Sequence, residues 1–223
     1  MTMMHPSNAD ILAGFETSIP DAEKAVVMAA RNVATYSGQS GEIDVLRLYA
    51  NLQFFITQVD LDIRVSLRNL LAYPSSRITT EKYLALALIE ADRGVRILLN
   101  QLRAAAGKQH GRLADFLDMD EFQAARDAIE LRLAPMRDDK PFASDLKLIR
   151  NEVVAHFVSK ESGVENSAKW ALSRHAMQQG ENSILQSKIV EFSIALSIGL
   201  RELSHGMTRA SSVWMATSTR INL

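Results

Sequence analysis

Apolar residues recur along this chain at every third or fourth position over long stretches, with polar residues between them. That spacing is the mark of helices that bury one face. "SIPDAEKAVVMAARNVATYSG" (18–38) reads as a helix with Pro20 in its first turn, where the missing N–H costs little, and Gly38 past its end. A second pattern starts near Ser40 and must stop before Pro74, because the residue before proline disfavours the helical region. At about 30 residues it is expected to be long, bent or broken. A third runs from an N-cap at Thr79 or Thr80 to Gly107, with Gly94 inside it as a point of close helix approach.

The pattern continues with "DMDEFQAARDAIELRLAPMRDD" (118–139), which Pro135 ends or kinks, and with a helix over 142–158. A polar loop, "SKESGVENS", leads to a short helix in "AKWALSRHAMQQG". A long helix then closes near Gly206. No strand alternation, fixed-period repeat or low-complexity tract interrupts the series. The predicted fold is all-α: an antiparallel bundle of four to five main helices with short additional helices. A single domain over 1–223 is expected, with 1–19 and 207–223 as peripheral terminal segments.

Composition narrows the function. Hydrophobic residues make up 47% of the chain, enough for a real core, and the formal net charge of −1 lacks the basic excess of a broad nucleic-acid surface. With no cysteine there is neither a disulfide nor a thiolate nucleophile, and zinc would be left with histidine and carboxylate ligands. No histidine cluster has zinc spacing, so neither metal nor cofactor is expected. "MTMMHPSNAD" lacks the features of a signal peptide, and "IVEFSIALSIGL" is too short and too polar to span a bilayer. A cytoplasmic protein with no membrane association is the expectation.

One stretch exceeds what packing requires. In "LKLIRNEVVAHF" (146–157), Leu146, Ile149, Val153 and Phe157 form an apolar stripe, while Arg150, Asn151 and His156 are additions to it. The same chemistry is absent at the other Arg-Asn pairs, Arg31-Asn32 and Arg68-Asn69, which have no histidine at that spacing. Arg103 and His110 fit the loose spacing, but Ala104 follows the arginine. These three residue types suit metal-free phosphoryl transfer. A histidine titrates near neutrality and moves protons. An arginine offers a planar fork to phosphoryl oxygens, and an asparagine orients either partner.

Arg150-Asn151-x4-His156 on a late helix resembles the HEPN superfamily, and "IRNEVVAHF" is similar to its abortive-infection branch. The motif covers about a dozen residues, and the all-helical pattern extends the resemblance weakly over most of the chain. Phe157-Val158 depart from that branch, which often carries a charged residue just after the histidine. The resemblance implies a metal-independent endoribonuclease in phage defence or a toxin–antitoxin system. It would cut single-stranded RNA by 2′-hydroxyl attack and leave a 2′,3′-cyclic phosphate. It also implies a homodimer, with a protein or nucleotidyltransferase antitoxin as partner.

Helix geometry supports the second copy. At about 100° per residue, Arg150 and His156 point roughly 120° apart, and Asn151 and His156 about 140° apart. Either the last turn loosens or a two-fold partner completes the site.

A plainer alternative stands beside this one. A histidine in a last helical turn meets free carbonyls, Glu152 lies four residues from His156, and Arg150 can cover its apolar neighbours. The chain would then be a non-catalytic binding or regulatory bundle. His175 and His205 read as solvated positions. Asp60 and Arg64, within "DLDIR", read as a pair on the solvent face, with support of Arg150 or His156 by Asp60, Asp62 or Arg64 as the lesser option.

Overall fold

The computed structural model describes residues 7–37, 44–108, 116–150, 168–169, 171–172 and 184–219, with the side chains of 212–219 excepted. Among them all regular structure is helical, as the hydrophobic pattern predicts. The helices are α1 (Asn8–Tyr36), α2 (Asp44–Ala72), α3 (Arg77–Ala106), α4 (Met119–Asp138), α5 (Lys140–Leu148) and α6 (Ile184–Thr219). A single 3-10 turn, Pro74–Ser76, joins α2 to α3. Tyr73, just before Pro74, has left the helical region at φ −131° and ψ 77°.

The chain forms two compact units. The first is drawn from residues 1–23, 61–90 and 135–194, and the second from 24–60, 91–134 and 195–223. Parts of α1, α2, α3, α4 and α6 belong to each unit, and α5 belongs wholly to the first.

In the second unit, α6 runs antiparallel to both α2 and α4. Along α2, Tyr49 bonds the Met207 carbonyl at 3.3 Å and Ser211 Oγ at 3.1 Å. Further along, Ser204 donates to Gln53 at 3.0 Å and Ser197 donates to Asp60. Partner numbers fall on α6 as they rise on α2, which defines the direction.

Along α4 the order is the same. The Asp118 N–H reaches the Ala210 carbonyl at 2.8 Å, Arg209 pairs with Glu121, and Arg132 grips both Glu202 oxygens at 2.7 and 2.9 Å. Two glycines of α6 let the helices meet: Gly206 lies against Ala125, and Gly199 against Ile129. Leu52, Val95, Leu99, Phe122, Ile129, Leu196, Leu200 and Met207 fill this core.

In the first unit, Ile63, Leu67, Leu84, Leu88, Phe142, Leu146, Ile149 and Ile189 are buried. The rings of Phe142 and Phe192 pack with centroids 4.9 Å apart. Arg68 binds Glu16 through Nε and Nη2, at 2.8 and 2.6 Å, and ties α1 to α2.

Several boundaries differ from the sequence reading. Pro20 lies inside α1, which starts a full three turns earlier at Asn8. The apolar stripe Leu12, Phe15, Ile19, Ala22, Val26 continues through the proline at helical spacing, each residue half-buried, and the helix runs on through the proline. Helix α3 starts at Arg77, ahead of Thr79, because the 3-10 turn leads directly into it. Pro135 is carried within α4, which runs on to Asp138.

Helix α6 does not close at Gly206. It continues to Thr219, with Met207, Ala210 and Ser211 buried. Gly206 serves close packing against Ala125 rather than termination. By contrast, α2 is a single unbroken helix of 29 residues, and Gly94 packs directly on the ring of Phe55.

Candidate functional site

Helix α5 presents Arg150 through a short series of local choices. Asp139 caps it, accepting from the Phe142 N–H at 3.1 Å, and Pro141 sits in the first turn, where a donor is not needed. Lys188 binds the same carboxylate. That side-chain contact, followed by the Phe142 N–H, holds the Asp139 carboxyl below the usual range. Phe142, Leu146 and Ile149 then point into the core at 1%, 5% and 1% exposure. The helix is thereby fixed in rotation, and the next residue, Arg150, faces outward.

Helical winding changes at this point. Ile149 and Arg150 form a π turn, wider than the α-helix before it. The 100° per residue count that separates Arg150 from His156 assumes a regular α-helix. Asn151 and His156, the other two predicted site residues, lie outside the described residues.

Arg150 meets Glu90 of α3, with Nε 3.2 Å from Oε1 and the two side chains 39% and 46% exposed. Glu90 follows Leu84 and Leu88, whose full burial sets the rotation of this part of α3. The site thus has a half-exposed guanidinium just past a helix anchored by one buried edge, facing a half-exposed carboxylate. A guanidinium that accepts a carboxylate has the donors to accept a phosphate. Sequence reasoning missed Glu90. A contact between helices far apart in the chain leaves no periodic trace on either one.

The other candidates differ in burial. Asp60 is buried at 7% and accepts from Ser197 in the second unit, which corrects its placement on a solvent face. Its place in the stripe Ile56, Val59, Asp60, Ile63 was the available signal. Asp62 is exposed and Arg64 half-buried, both in the first unit. His205 is exposed, as expected, and His175 lies outside the described residues. Among the described residues no cluster of histidine and carboxylate side chains has the form of a metal site. No described helix is long and apolar enough to cross a membrane.

Compared with known proteins, the chain matches no family model, no curated protein and no solved structure. The functional reading therefore rests on the residues themselves.

Proposed function

We propose that this chain is a HEPN-like, metal-independent endoribonuclease, with Arg150, Asn151 and His156 as its catalytic residues. The observation that carries the reading is the Arg150-Asn151-x4-His156 motif following α5 in an all-α chain. The half-exposed Arg150 guanidinium, already engaged with an oxyanion, supports it.

In the reaction proposed, the His156 imidazole takes the proton of an RNA 2′-hydroxyl. The freed oxygen attacks the adjacent phosphorus, and the P–O5′ bond breaks. The proton passes to the departing 5′ oxygen, which leaves as a hydroxyl beside a 2′,3′-cyclic phosphate. Arg150 binds the phosphoryl oxygens as their charge grows, and Asn151 holds the phosphate or the imidazole in place.

A second copy of the chain, related by a two-fold axis, supplies the rest of the cleft. A cytoplasmic role in phage defence or a toxin–antitoxin pair, held in check by a protein or nucleotidyltransferase antitoxin, follows from the same reading. Sedimentation at micromolar concentration tests the assembly. A monomer that cleaves RNA refutes the shared cleft.

The decisive experiment incubates purified protein with labelled single-stranded RNA in EDTA. Cleavage to cyclic-phosphate ends, lost in His156→Ala while thermal unfolding is unchanged, is the expected result. A folded protein that cuts none of a varied RNA set overturns the reading. The second reading is a non-catalytic binding or regulatory bundle. The Glu90 carboxylate at Arg150 favours it, because an occupied guanidinium suits a structural tie as well as a resting site. The same experiment separates the two.

A further inference from the structure

We propose that Glu90 is a resident competitor for RNA phosphate at Arg150, an internal anion that substrate must displace. This rests on the ribonuclease reading and adds a regulatory element to its site. Three observations carry it.

The first is chemical equivalence. Carboxylate and phosphodiester oxygens use the same guanidinium donors, so Glu90 and a backbone phosphate are alternatives. The second is the looseness of the contact. Arg68 and Arg132 hold their carboxylates with paired contacts of 2.6–2.9 Å, whereas Arg150 Nε stands 3.2 Å from Glu90. Both Arg150 and Glu90 are half-exposed, so water reaches the pair, screens the attraction and lets it open. The third is the anchoring. Ile149 is buried at 1%, so the backbone beside Arg150 is held while its long side chain remains able to move between partners.

The size of the effect follows. An exposed pair of this kind is closed roughly 1.4 to 5 times as often as it is open. Arg150 is then available to substrate for about one-sixth to two-fifths of the time, and the apparent affinity falls by the same factor. Removing the competing charge in Glu90→Gln should tighten RNA binding by roughly two- to six-fold. The gain must vanish when Arg150 is absent.

A fluorescently labelled 2′-O-methyl oligoribonucleotide, blocked at the attacking hydroxyl, is titrated by anisotropy against four proteins: wild type, Glu90→Gln, Arg150→Ala and the double variant. Tighter binding by Glu90→Gln, with no gain from Glu90→Gln in the Arg150→Ala background, supports the proposal. An equal gain in both backgrounds marks a general charge effect and overturns it. So does unchanged affinity in Glu90→Gln when the wild type binds the probe and cleaves unmodified RNA; the ribonuclease reading then survives alone. A wild type that neither binds the probe nor cleaves RNA removes both.

Discussion

Gly206→Ala is the substitution whose outcome the α4–α6 packing specifies most tightly. A β-carbon added at Gly206 would lie 2.5 Å from the Ala125 β-carbon and 3.4 Å from its α-carbon. Nonbonded carbons pack at about 3.5–4.0 Å, so the helices must part by roughly 1 Å. Alanine has no rotamer in which its methyl moves aside, so the strain passes to the backbone. Overpacking of this sort costs about 1–3 kcal/mol, and a rigid neighbour favours the upper part of that range. Against it, alanine is about 1 kcal/mol better than glycine inside a helix. The net expectation is a loss of about 1–2 kcal/mol, a fall in Tm of roughly 2–8 °C for a chain of this size.

Two other glycines provide the scale. Gly14→Ala meets nothing within 4 Å and should raise stability by about 1 kcal/mol. Gly94→Ala meets only the Phe55 ring, whose Cζ lies 2.3 Å away on the axis of ring rotation; relief needs the whole half-buried Phe55 side chain to swing aside, and the variant should fall between the two. The sharpest arm is compensation: Ala125→Gly combined with Gly206→Ala moves one methyl across the seam and should be more stable than either single variant. Urea unfolding of the set provides the comparison. A Gly206→Ala protein as stable as Gly14→Ala, or a double variant whose losses merely add, would refute the close-packing argument.

Asp60→Ala removes the buried acceptor of Ser197 and should cost about 1–3 kcal/mol in urea unfolding; losses that simply add with those of Ser197→Ala would show that the two do not interact. Asp139 has a native pKa below its ordinary value of 3.8, because of Lys188 and then the Phe142 N–H. Its contribution is therefore complete above 3.8 and is lost as pH falls through the lower native value. The stability gap between wild type and Asp139→Ala should narrow along that acid limb, and a gap independent of pH would contradict the assignment. Arg150→Lys keeps the charge but loses the planar fork, so RNA cleavage should drop roughly ten- to a hundred-fold. Near-wild-type cleavage would show that Arg150 supplies no directed contact to phosphate.

Much of the helical plan was legible because each feature leaves a local mark. Pro74 stops its helix through backbone chemistry that acts within a residue or two, and α3 ends at Ala106, just before Gly107. The stripe Leu146–Ile149 predicted the buried face of α5, and Gly94 marked a point of close packing, which the ring of Phe55 fills. Pro20 and Gly206 misled for the opposite reason. Their usual meaning is terminal, but the apolar stripe continues through both, half-buried around Pro20 and fully buried around Gly206. Asp60 was misplaced by weighing its spacing from Arg64 above its membership of the stripe. At the candidate site, the motif located Arg150, whereas Glu90 depended on a tertiary contact that no short-range pattern encodes.

Helix α1 has a consequence of another kind. Of its 29 residues, only Ala29 is buried, while α6 carries Ile189, Leu196, Leu200, Leu203 and Met207 at 0–1% exposure. Pro20 also has no amide hydrogen with which to bond the Glu16 carbonyl four residues back. The two helices thus stand at opposite ends of the protein's range of local opening energies. Amide hydrogens of α1 should exchange with solvent through small, frequent openings, and those at the centre of α6 only when the whole chain unfolds. Protease sites along α1 should therefore be cut sooner than those at the centre of α6.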